Sequence, residues 1–300
     1  MKRYFLFLFI VLGLSGLDCL AQDSPTDIEK RCRRIELKDQ GLMRECFVYL
    51  PSSDAPAFES GRPLIVVLHG YGGNGAKGHV QFLDLADREG FAVCFPTGAR
   101  DPKGKNSWNV GYPFQKGWKQ DDIAFLKKLI CHLQKEYALS KTDVFLTGMS
   151  NGGEMCYLMA MHSPETFSAI ASIAGLTLTD MDREYSSPVP FMEVHGTRDK
   201  TSLWNGDPDN EGGWGAYLPV PLAVAYVTSI NGCSRFSHEE LPLIRNKVTK
   251  TVYSGGKAAW KGGPSAEVWL YEVENGGHSW AAKDMDTYGE IWKFFKKYLR

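Results

Sequence analysis

The sequence predicts an α/β fold in which a mainly parallel sheet carries helices on both faces and antiparallel edge strands lie at its N-terminal side. From residue 63 onward, apolar runs rich in β-branched residues alternate with helical stretches, which is typical of buried parallel strands and their crossover helices. One such run, Val144 to Leu146, leads through Gly148-Met-Ser-Asn-Gly-Gly153 into a helical stretch. A glycine-flanked serine between a strand and a helix indicates the same fold class.

The elements follow from these patterns in chain order. Residues 33–37 and 44–50 suggest two antiparallel edge strands, closed by Pro51. Further strands are expected over 63–68, 91–95, 143–146, 167–173, 189–194 and 267–273. Helices are expected over about 79–88, 120–137, 154–162, 221–230 and 287–299. In such a sheet, ligands bind at the carboxyl ends of the strands.

Ser150 is the predicted nucleophile. A strand-to-helix turn holds its serine in a strained backbone conformation, so the residues two positions to either side must be small. Gly148 and Gly152 meet that need and leave the Ser150 hydroxyl exposed. A plain glycine-rich turn is the alternative, but the flanking strand and helix favour a nucleophile elbow.

A serine hydroxyl needs a histidine base and an acid that fixes the tautomer of that histidine. In this fold class the expected chain order is serine, acid, histidine. Asp199 lies in the loop after the strand expected at 189–194, and His278 lies in the loop after the strand expected at 267–273. We therefore predict Asp199 as the acid and His278 as the base, with Asp207 and Asp209 as rival acids in the same loop region.

The other histidines suit this role less well. Four lie in or beside helices or in a polar stretch, and two follow strands directly but come too early for the expected order. These residues are His79, His132, His162 and His238, and then His69 and His195. We expect His69 and His195 to support loops.

The glycine-rich segment His69-Gly-Tyr-Gly-Gly-Asn74 follows the strand expected at 63–68. Acyl transfer needs amide donors where negative charge develops on the substrate oxygen. We expect one donor to be the backbone NH of Asn151 and the other the NH of Tyr71, with Gly70 and Gly72 as alternatives.

The same loop satisfies the dinucleotide-binding pattern Gly-x-Gly-x-x-Gly over residues 70–75. That interpretation also requires an acid after the next strand to hold a ribose. The strand at 91–95 runs instead into Pro96-Thr-Gly, and no Gly-Lys-Ser/Thr follows residues 70–75. We therefore expect no cofactor. The chemistry requires no metal either, although a structural ion near Asp207 and Asp209 stays open.

With these segments, the chain resembles the polyhydroxybutyrate depolymerase and feruloyl esterase group of secreted α/β-hydrolases. The matching pieces span residues 63–300 and include Ser107-Trp-Asn-Val-Gly111, Thr147-Gly-Met-Ser-Asn-Gly-Gly153, His195-Gly-Thr-Arg-Asp199, Asn231-Gly-Cys233 and Gly276-Gly-His-Ser-Trp280. The resemblance implies an α/β-hydrolase fold and a serine esterase. Carried over residue by residue, it implies Ser150 as nucleophile, Asp199 as acid and His278 as base.

The sequence departs from this group near the acid and the histidine. Lys200-Thr-Ser-Leu-Trp204 stands where the group usually has proline and small apolar residues, and Trp280-Ala-Ala stands where it has Trp-Pro-Gly. No cysteine follows Cys233 to pair with it. The resemblance favours feruloyl or acetyl esters of plant cell-wall polysaccharide as substrates. Short polyhydroxybutyrate chains are the alternative, peptide hydrolysis is a weaker one, and a catalytically silent carbohydrate-binding protein is a rival from another class.

Loop tryptophans lie near the expected site. Aromatic faces there can stack on a phenolic acyl group or a sugar ring, or they can cap the core under long loops. Trp108, Trp204 and Trp280 are the candidate substrate contacts, and Trp214 lies in the same group of loops.

The N-terminus predicts export. Lys2 and Arg3 precede an apolar run from Tyr4 to Leu14, and Cys19-Leu-Ala21 fits a cleavage site. We expect residues 1–21 to be a signal peptide and residues 22–300 to form a single catalytic domain, secreted to the periplasm or the cell exterior. A membrane anchor or lipidation at Cys19 is the alternative.

Charge and cysteine content limit the partners. Without residues 1–21, the chain has 32 basic and 34 acidic residues, a formal net charge of −2. This favours neither nucleic acid nor an anionic membrane as partner, leaving the ester substrate, and the oligomeric state stays open. Six cysteines remain, at 32, 46, 94, 131, 156 and 233, without zinc-site spacing. We expect Cys32 and Cys46 to pair across a hairpin and Cys156 to be a buried free thiol.

Overall fold

The computed structural model describes residues 25–179 and 187–300, which contain one ten-stranded sheet with helices on both faces. Strands, in chain order, are β1 (Arg33–Asp39), β2 (Leu42–Tyr49), β3 (Arg62–Leu68), β4 (Ala92–Pro96), β5 (Ala99–Arg100), β6 (Asn106–Ser107), β7 (Leu139–Met149), β8 (Ala169–Ile173), β9 (Phe191–Gly196), β10 (Arg235–Glu240), β11 (Val248–Ser254) and β12 (Val268–Val273). Helices are α1 (Asp27–Arg31), α2 (Gln81–Glu89), α3 (Asp122–Glu136), α4 (Asn151–His162), α5 (Val220–Asn231) and α6 (Thr287–Lys296).

The order of strands in the sheet is β1-β2-β4-β3-β7-β8-β9-β12-β11-β10. The strands from β4 to β12 in this order pair in parallel, and antiparallel pairs lie at both edges. Strands β5 and β6 form a separate small antiparallel pair. This confirms the predicted α/β fold, including the antiparallel strands at the N-terminal edge.

Two hydrophobic cores lie on opposite faces of the sheet. In β3, Leu64 and Val66 belong to one core and Ile65 and Val67 to the other, as expected of a strand buried on both faces. Residues of α3, α4 and α5 fill the first core, and residues of α2 and α6 fill the second.

The hairpin of β10 and β11 was not predicted. All six residues of β10 are exposed, so this edge strand lacks the apolar alternation by which strands are recognised. Its pairing with β11, from Arg235 opposite Ser254 to Glu240 opposite Thr249, makes it a strand. Strand β7 also begins four residues earlier than expected, at Leu139.

The structure corrects the expected pairing of Cys32 with Cys46. The β1–β2 register puts Ile35 opposite Cys46, and Cys32 lies before the first paired residue. The sulfur of Cys46 instead lies 2.7 Å from the sulfur of Cys94, on neighbouring strands β2 and β4. All six cysteines of the described part are free thiols, and Cys156 is buried as expected.

The expected signal peptide, residues 1–21, lies outside the described residues. Among the helices that the structure describes, none combines the length and the apolar character needed to cross a membrane.

The parallel topology determines where the loops meet. Strands β3, β7, β9 and β12 end at Leu68, Met149, Gly196 and Val273, and their carboxyl ends lie at the same edge of the sheet. The loops that follow contain the glycine-rich segment, Ser150, Asp199 and His278. Four segments far apart in the sequence therefore converge at one site.

Candidate active site

Ser150 lies on a sharp turn between β7 and α4. Its backbone has φ 57° and ψ −124°, a conformation that residues other than glycine rarely adopt. A β-carbon on Gly148 would lie 2.6 Å from the carbonyl oxygen of Gly152, and one on Gly152 would lie 2.7 Å from that of Leu68. Both positions therefore require glycine, as the elbow pattern predicts.

Asp199 and His278 are hydrogen-bonded. His278 Nδ1 lies 2.7 Å from Asp199 Oδ2. The other carboxylate oxygen of Asp199 accepts hydrogen bonds from the amides of Thr201 at 2.7 Å and Ser202 at 2.9 Å, so the buried acid has a fixed orientation. Because the Asp199 carboxylate can only accept this hydrogen bond, His278 Nδ1 carries the proton. His278 Nε2 is then left free to act as a base.

The rival acids are engaged elsewhere or exposed. Asp207 accepts hydrogen bonds from the amides of Glu211 and Gly212 and so stabilises its own turn. Asp209 is exposed. Within residues 25–179 and 187–300, no cluster of three or more His, Cys, Asp or Glu side chains has the arrangement of a metal site.

Ser150 and His278 are both partly exposed at the same end of the sheet. In the described part of the chain, the structure records no hydrogen bond between Ser150 Oγ and His278. Catalytic hydrogen bonds of this kind often tighten only when substrate binds.

The glycine-rich loop lies directly against Ser150. A β-carbon on Gly70 would lie 3.3 Å from Ser150 Cβ and 3.9 Å from its Oγ. The amide of Gly72 donates instead to the carbonyl of Asn106 at 2.8 Å, which removes Gly72 from the alternative oxyanion donors. Tyr71 and Gly70 remain, together with Asn151 at the first position of α4, where amides have no partner within the helix.

Two polar side chains hold this loop, and one of them is His69, which was expected to support a loop. His69 Nδ1 donates to the carbonyl of Gly70 at 2.7 Å, and His69 Nε2 accepts from the amide of Gly98 at 2.9 Å. Burial lowers the pKa of His69 to about 4, so this ring is neutral at pH 7. The phenol of Tyr71 donates to Asp101 at 2.9 Å.

The structure corrects the expectation that Trp108 contacts substrate. Its side chain is 0 % exposed, so neither ring face is open to a ligand. The indole NH donates to the carbonyl of His69 at 2.9 Å. Trp108 therefore supports the glycine-rich loop from its buried side.

Trp204 and Trp280 are less completely enclosed than Trp108, although Trp280 is still buried, with 8 % of its surface exposed. Trp204 is half-buried, with its ring centroid 6.0 Å from that of His195. Trp280 packs on His79 with ring centroids 4.4 Å apart and lines a cavity of about 290 Å³. Gly70 and Met149, which flank Ser150, line the same mainly apolar cavity.

Two buried acids lie behind the site and were not predicted from the sequence. Glu154 on α4 receives a hydrogen bond from the phenol of Tyr112, and burial raises its pKa to about 8. Glu193 on β9 is bonded to His195. The available signal was a lone carboxylate inside an otherwise apolar run, at 154–161 and at 189–194.

Comparison with known proteins identifies the family. Residues 46–204 match the family model described as Esterase PHB depolymerase. The chain is 31 % identical to the bifunctional acetylxylan esterase/xylanase of Neocallimastix patriciarum, over 54 % of this chain and 22 % of that protein. It is 25 % identical to the probable feruloyl esterase C of Aspergillus clavatus, over 51 % of this chain and 49 % of the relative.

A third relative is the poly(3-hydroxyalkanoate) depolymerase C of Paucimonas lemoignei, 22 % identical over 55 % of this chain and 44 % of that protein. The chain spans about half or less of the length of these curated relatives.

Solved structures agree on the fold. An acetyl xylan esterase from Aspergillus awamori superposes with a TM-score of 0.59 at 14 % identity, covering 89 % of this chain and 99 % of that one. A thermostable esterase superposes with a TM-score of 0.57 at 20 % identity, covering 91 % and 64 %. These are α/β-hydrolase esterases and show the same fold. The match of the family model to more than half of the chain establishes that the chain is a member of the esterase PHB depolymerase family.

Proposed function

We propose that the protein is a secreted serine carboxylic-ester hydrolase that acts through an acyl-enzyme. Ser150 is the nucleophile, His278 the general base and Asp199 the acid that orients His278. The hydrogen bond between Asp199 Oδ2 and His278 Nδ1, at the sheet edge that also carries the strained Ser150 turn, is the observation that supports this most directly.

The proposed reaction has two halves. Ser150 Oγ attacks the ester carbonyl carbon and gives its proton to His278 Nε2, while Asp199 stabilises the resulting imidazolium. The alcohol leaves with that proton and Ser150 keeps the acyl group. Water then attacks the acyl-enzyme, loses a proton to His278 Nε2, and releases the carboxylic acid as Ser150 Oγ recovers the proton.

Two backbone amides stabilise the tetrahedral intermediates. The NH groups of Asn151 and Tyr71 are the proposed donors, since Asn151 begins α4 and Gly70, next to Tyr71, lies against Ser150. The bond between Ser150 Oγ and His278 Nε2 is proposed to form when substrate binds.

The preferred substrates are feruloyl or acetyl esters of plant cell-wall polysaccharide. The names of the relatives from Neocallimastix patriciarum and Aspergillus clavatus support this choice. The cavity between Gly70, Met149 and Trp280 is mainly apolar and suits an acyl group. The depolymerase relative supports short polyhydroxybutyrate chains as a second candidate.

Export is part of the proposal. Its support is the sequence pattern of Lys2 and Arg3 before an apolar run and of small residues before Gln22. N-terminal sequencing of the protein recovered from the culture medium or periplasm tests this, with a start at Gln22 expected. A mature protein that retains Met1 contradicts it.

Covalent labelling followed by a substrate panel tests the activity. A fluorophosphonate probe should label Ser150 in the wild type and fail to label Ser150→Ala, whereas the exposed-serine control Ser53→Ala should label normally. Release of ferulate and acetate from xylan is then compared with release from hydroxybutyrate oligomers. Labelling of a residue other than Ser150 contradicts the mechanism. Faster hydrolysis of the hydroxybutyrate oligomers reverses the substrate assignment.

A further inference from the structure

Strand β9 carries a buried acid–base pair directly behind Asp199. Glu193 and His195 lie two residues apart on the same face of the strand and are 0 % and 1 % exposed. His195 Nδ1 lies 2.8 Å from Glu193 Oε1, and His195 Nε2 lies 2.8 Å from the carbonyl oxygen of Ser202. Asp199 Oδ2, which also contacts His278, is 3.6 Å from His195 Nε2.

The partners of the His195 ring limit its protonation state. The carbonyl of Ser202 can only accept, so Nε2 must carry a proton. An ionised Glu193 can also only accept, which requires a proton on Nδ1 as well. With both nitrogens protonated, His195 is an imidazolium between two carboxylates.

The surrounding groups favour this charge. Burial opposes a charged His195, but the hydrogen bond and negative charge of Glu193, the Ser202 carbonyl and the charge of Asp199 together raise its pKa. Burial raises the pKa of Glu193 above its usual value, and the hydrogen bond and charge of His195 offset part of that rise.

Groups from neighbouring elements face the same pair. Ser172 of β8 and Tyr157 of α4 face Glu193 and lower its pKa. Burial and, to a smaller extent, the charge of Glu193 raise the pKa of the Cys156 thiol on α4. The ring of Trp204 lies edge-on to His195.

The pair of Glu193 and His195 also fixes the loop that carries Asp199, the proposed acid. His195 holds the carbonyl of Ser202, while Asp199 holds the amide of Ser202 at 2.9 Å. The loop is also tied to the His278 segment, because the amide of Arg198 donates to the carbonyl of Gly276 at 2.9 Å. A change at His195 therefore acts on His278 through Asp199.

We propose that His195, held as an imidazolium by Glu193, is a positioning residue that fixes the Asp199 loop and offsets the negative charge of Asp199. This rests on the proposed function, because the effect is read through His278 as general base. A buried ion pair costs desolvation energy and is weak as a stabilising device, which favours a role in the site over one in stability alone.

The variant Glu193→Gln tests this with little change of shape. The amide of glutamine can donate to a neutral Nδ1, so His195 loses its positive charge while its ring keeps its place. The positive charge lost from His195 lies between the two carboxylates, 3.6 Å from Asp199 Oδ2, and is therefore nearer to Asp199 than the negative charge lost from Glu193. Asp199 then interacts more strongly with the imidazolium form of His278. The acid limb of the kcat/KM profile should move up by on the order of half a pH unit, with KM nearly unchanged.

Asp143→Asn is the matched control. Asp143 is also a fully buried strand carboxylate, bound by Ser60, Ser140 and the amide of Arg300 in the amino-terminal half of β7. This control should lower stability and leave the pH profile in place. Equal profiles for wild type and Glu193→Gln, with both proteins folded, overturn the proposal.

Nitrogen NMR of the histidine side chains gives an answer that needs no turnover. In the wild type and in Ser150→Ala at pH 7 to 8, both ring nitrogens of His195 should show the shifts of an imidazolium. A neutral ring overturns the proposal even if Glu193→Gln does not fold. Failure of the wild type to hydrolyse any ester overturns the proposed function instead, and the spectrum still decides the charge of His195.

Discussion

Asn151 holds both backbone groups of Trp108. Its Oδ1 accepts from the amide of Trp108 at 2.7 Å, and its Nδ2 donates to the carbonyl of Trp108 at 3.1 Å. Since the Trp108 indole in turn donates to the carbonyl of His69, one buried side chain links the start of α4 to the glycine-rich loop.

This relationship predicts that Asn151→Ala harms stability and turnover together. The change leaves the buried amide of Trp108 without its partner, whereas the carbonyl of Trp108 keeps the hydrogen bond from Gln115 Nε2 at 2.9 Å. The loss of this one bond should cost about 1–3 kcal/mol. Urea unfolding measures the loss, and the kcat for a short-chain p-nitrophenyl ester should fall because the loop against Ser150 loosens. An unchanged kcat in the folded variant contradicts the link to the loop.

Removal of the nucleophile should abolish chemistry while the fold survives. Ser150→Ala is expected to lower kcat by on the order of a millionfold, as measured for a serine protease nucleophile. Stopped-assay hydrolysis of p-nitrophenyl acetate measures this, beside Ser53→Ala as an active control. Turnover by Ser150→Ala at the wild-type rate refutes the mechanism.

Replacement of the acid should separate Asp199 from its rivals. Asp199→Asn presents an amide to His278 and favours the wrong tautomer, so kcat should fall by about 10⁴. Asp209→Asn changes an exposed carboxylate and should keep wild-type kcat. Equal losses in the two variants rule out the assignment of Asp199.

Removal of one partner from the buried ion pair of Arg44 and Asp122 should destabilise the fold, because the other charge is then left buried and unpaired. Arg44 Nη2 lies 2.8 Å from Asp122 Oδ1, and both side chains are almost fully enclosed. Arg44→Met leaves Asp122 as an unpaired buried carboxylate, which should cost about 3–5 kcal/mol in the free energy of unfolding. Chemical denaturation measures this. The exposed pair of Arg34 and Glu45 supplies the control, because Arg34→Met should change little.

Oxidation should link Cys46 to Cys94 if the chain matures in an oxidising compartment. These two sulfurs are in contact, whereas Cys32 lies before the first paired residue of β1, outside the register that sets Ile35 opposite Cys46. Peptide mapping of non-reduced protein by mass spectrometry should find the 46–94 linkage, and Cys32→Ser should leave it intact. A linkage between Cys32 and Cys46 contradicts the strand register.

Features encoded by local patterns could be predicted from the sequence. The apolar run at 63–68 and the turn around Ser150 depend on residues within a few positions of each other, so periodicity and glycine spacing reveal them. Strand β10 was not predicted because its exposed residues carry no such pattern and only the pairing with β11 defines it as a strand.

The sequence by itself determined the α/β class, the elbow at Ser150 and the chain order of Asp199 and His278 as candidate acid and base, because each is a property of short segments. The tertiary structure decided which residues meet. His278 contacts Asp199 and not the rival acid Asp207, Cys46 contacts Cys94, and Trp108 contacts the buried side of the glycine-rich loop. It also decided that Glu193 and His195 stand behind Asp199. Such contacts depend on strand register and loop closure between distant segments, and no local pattern encodes them.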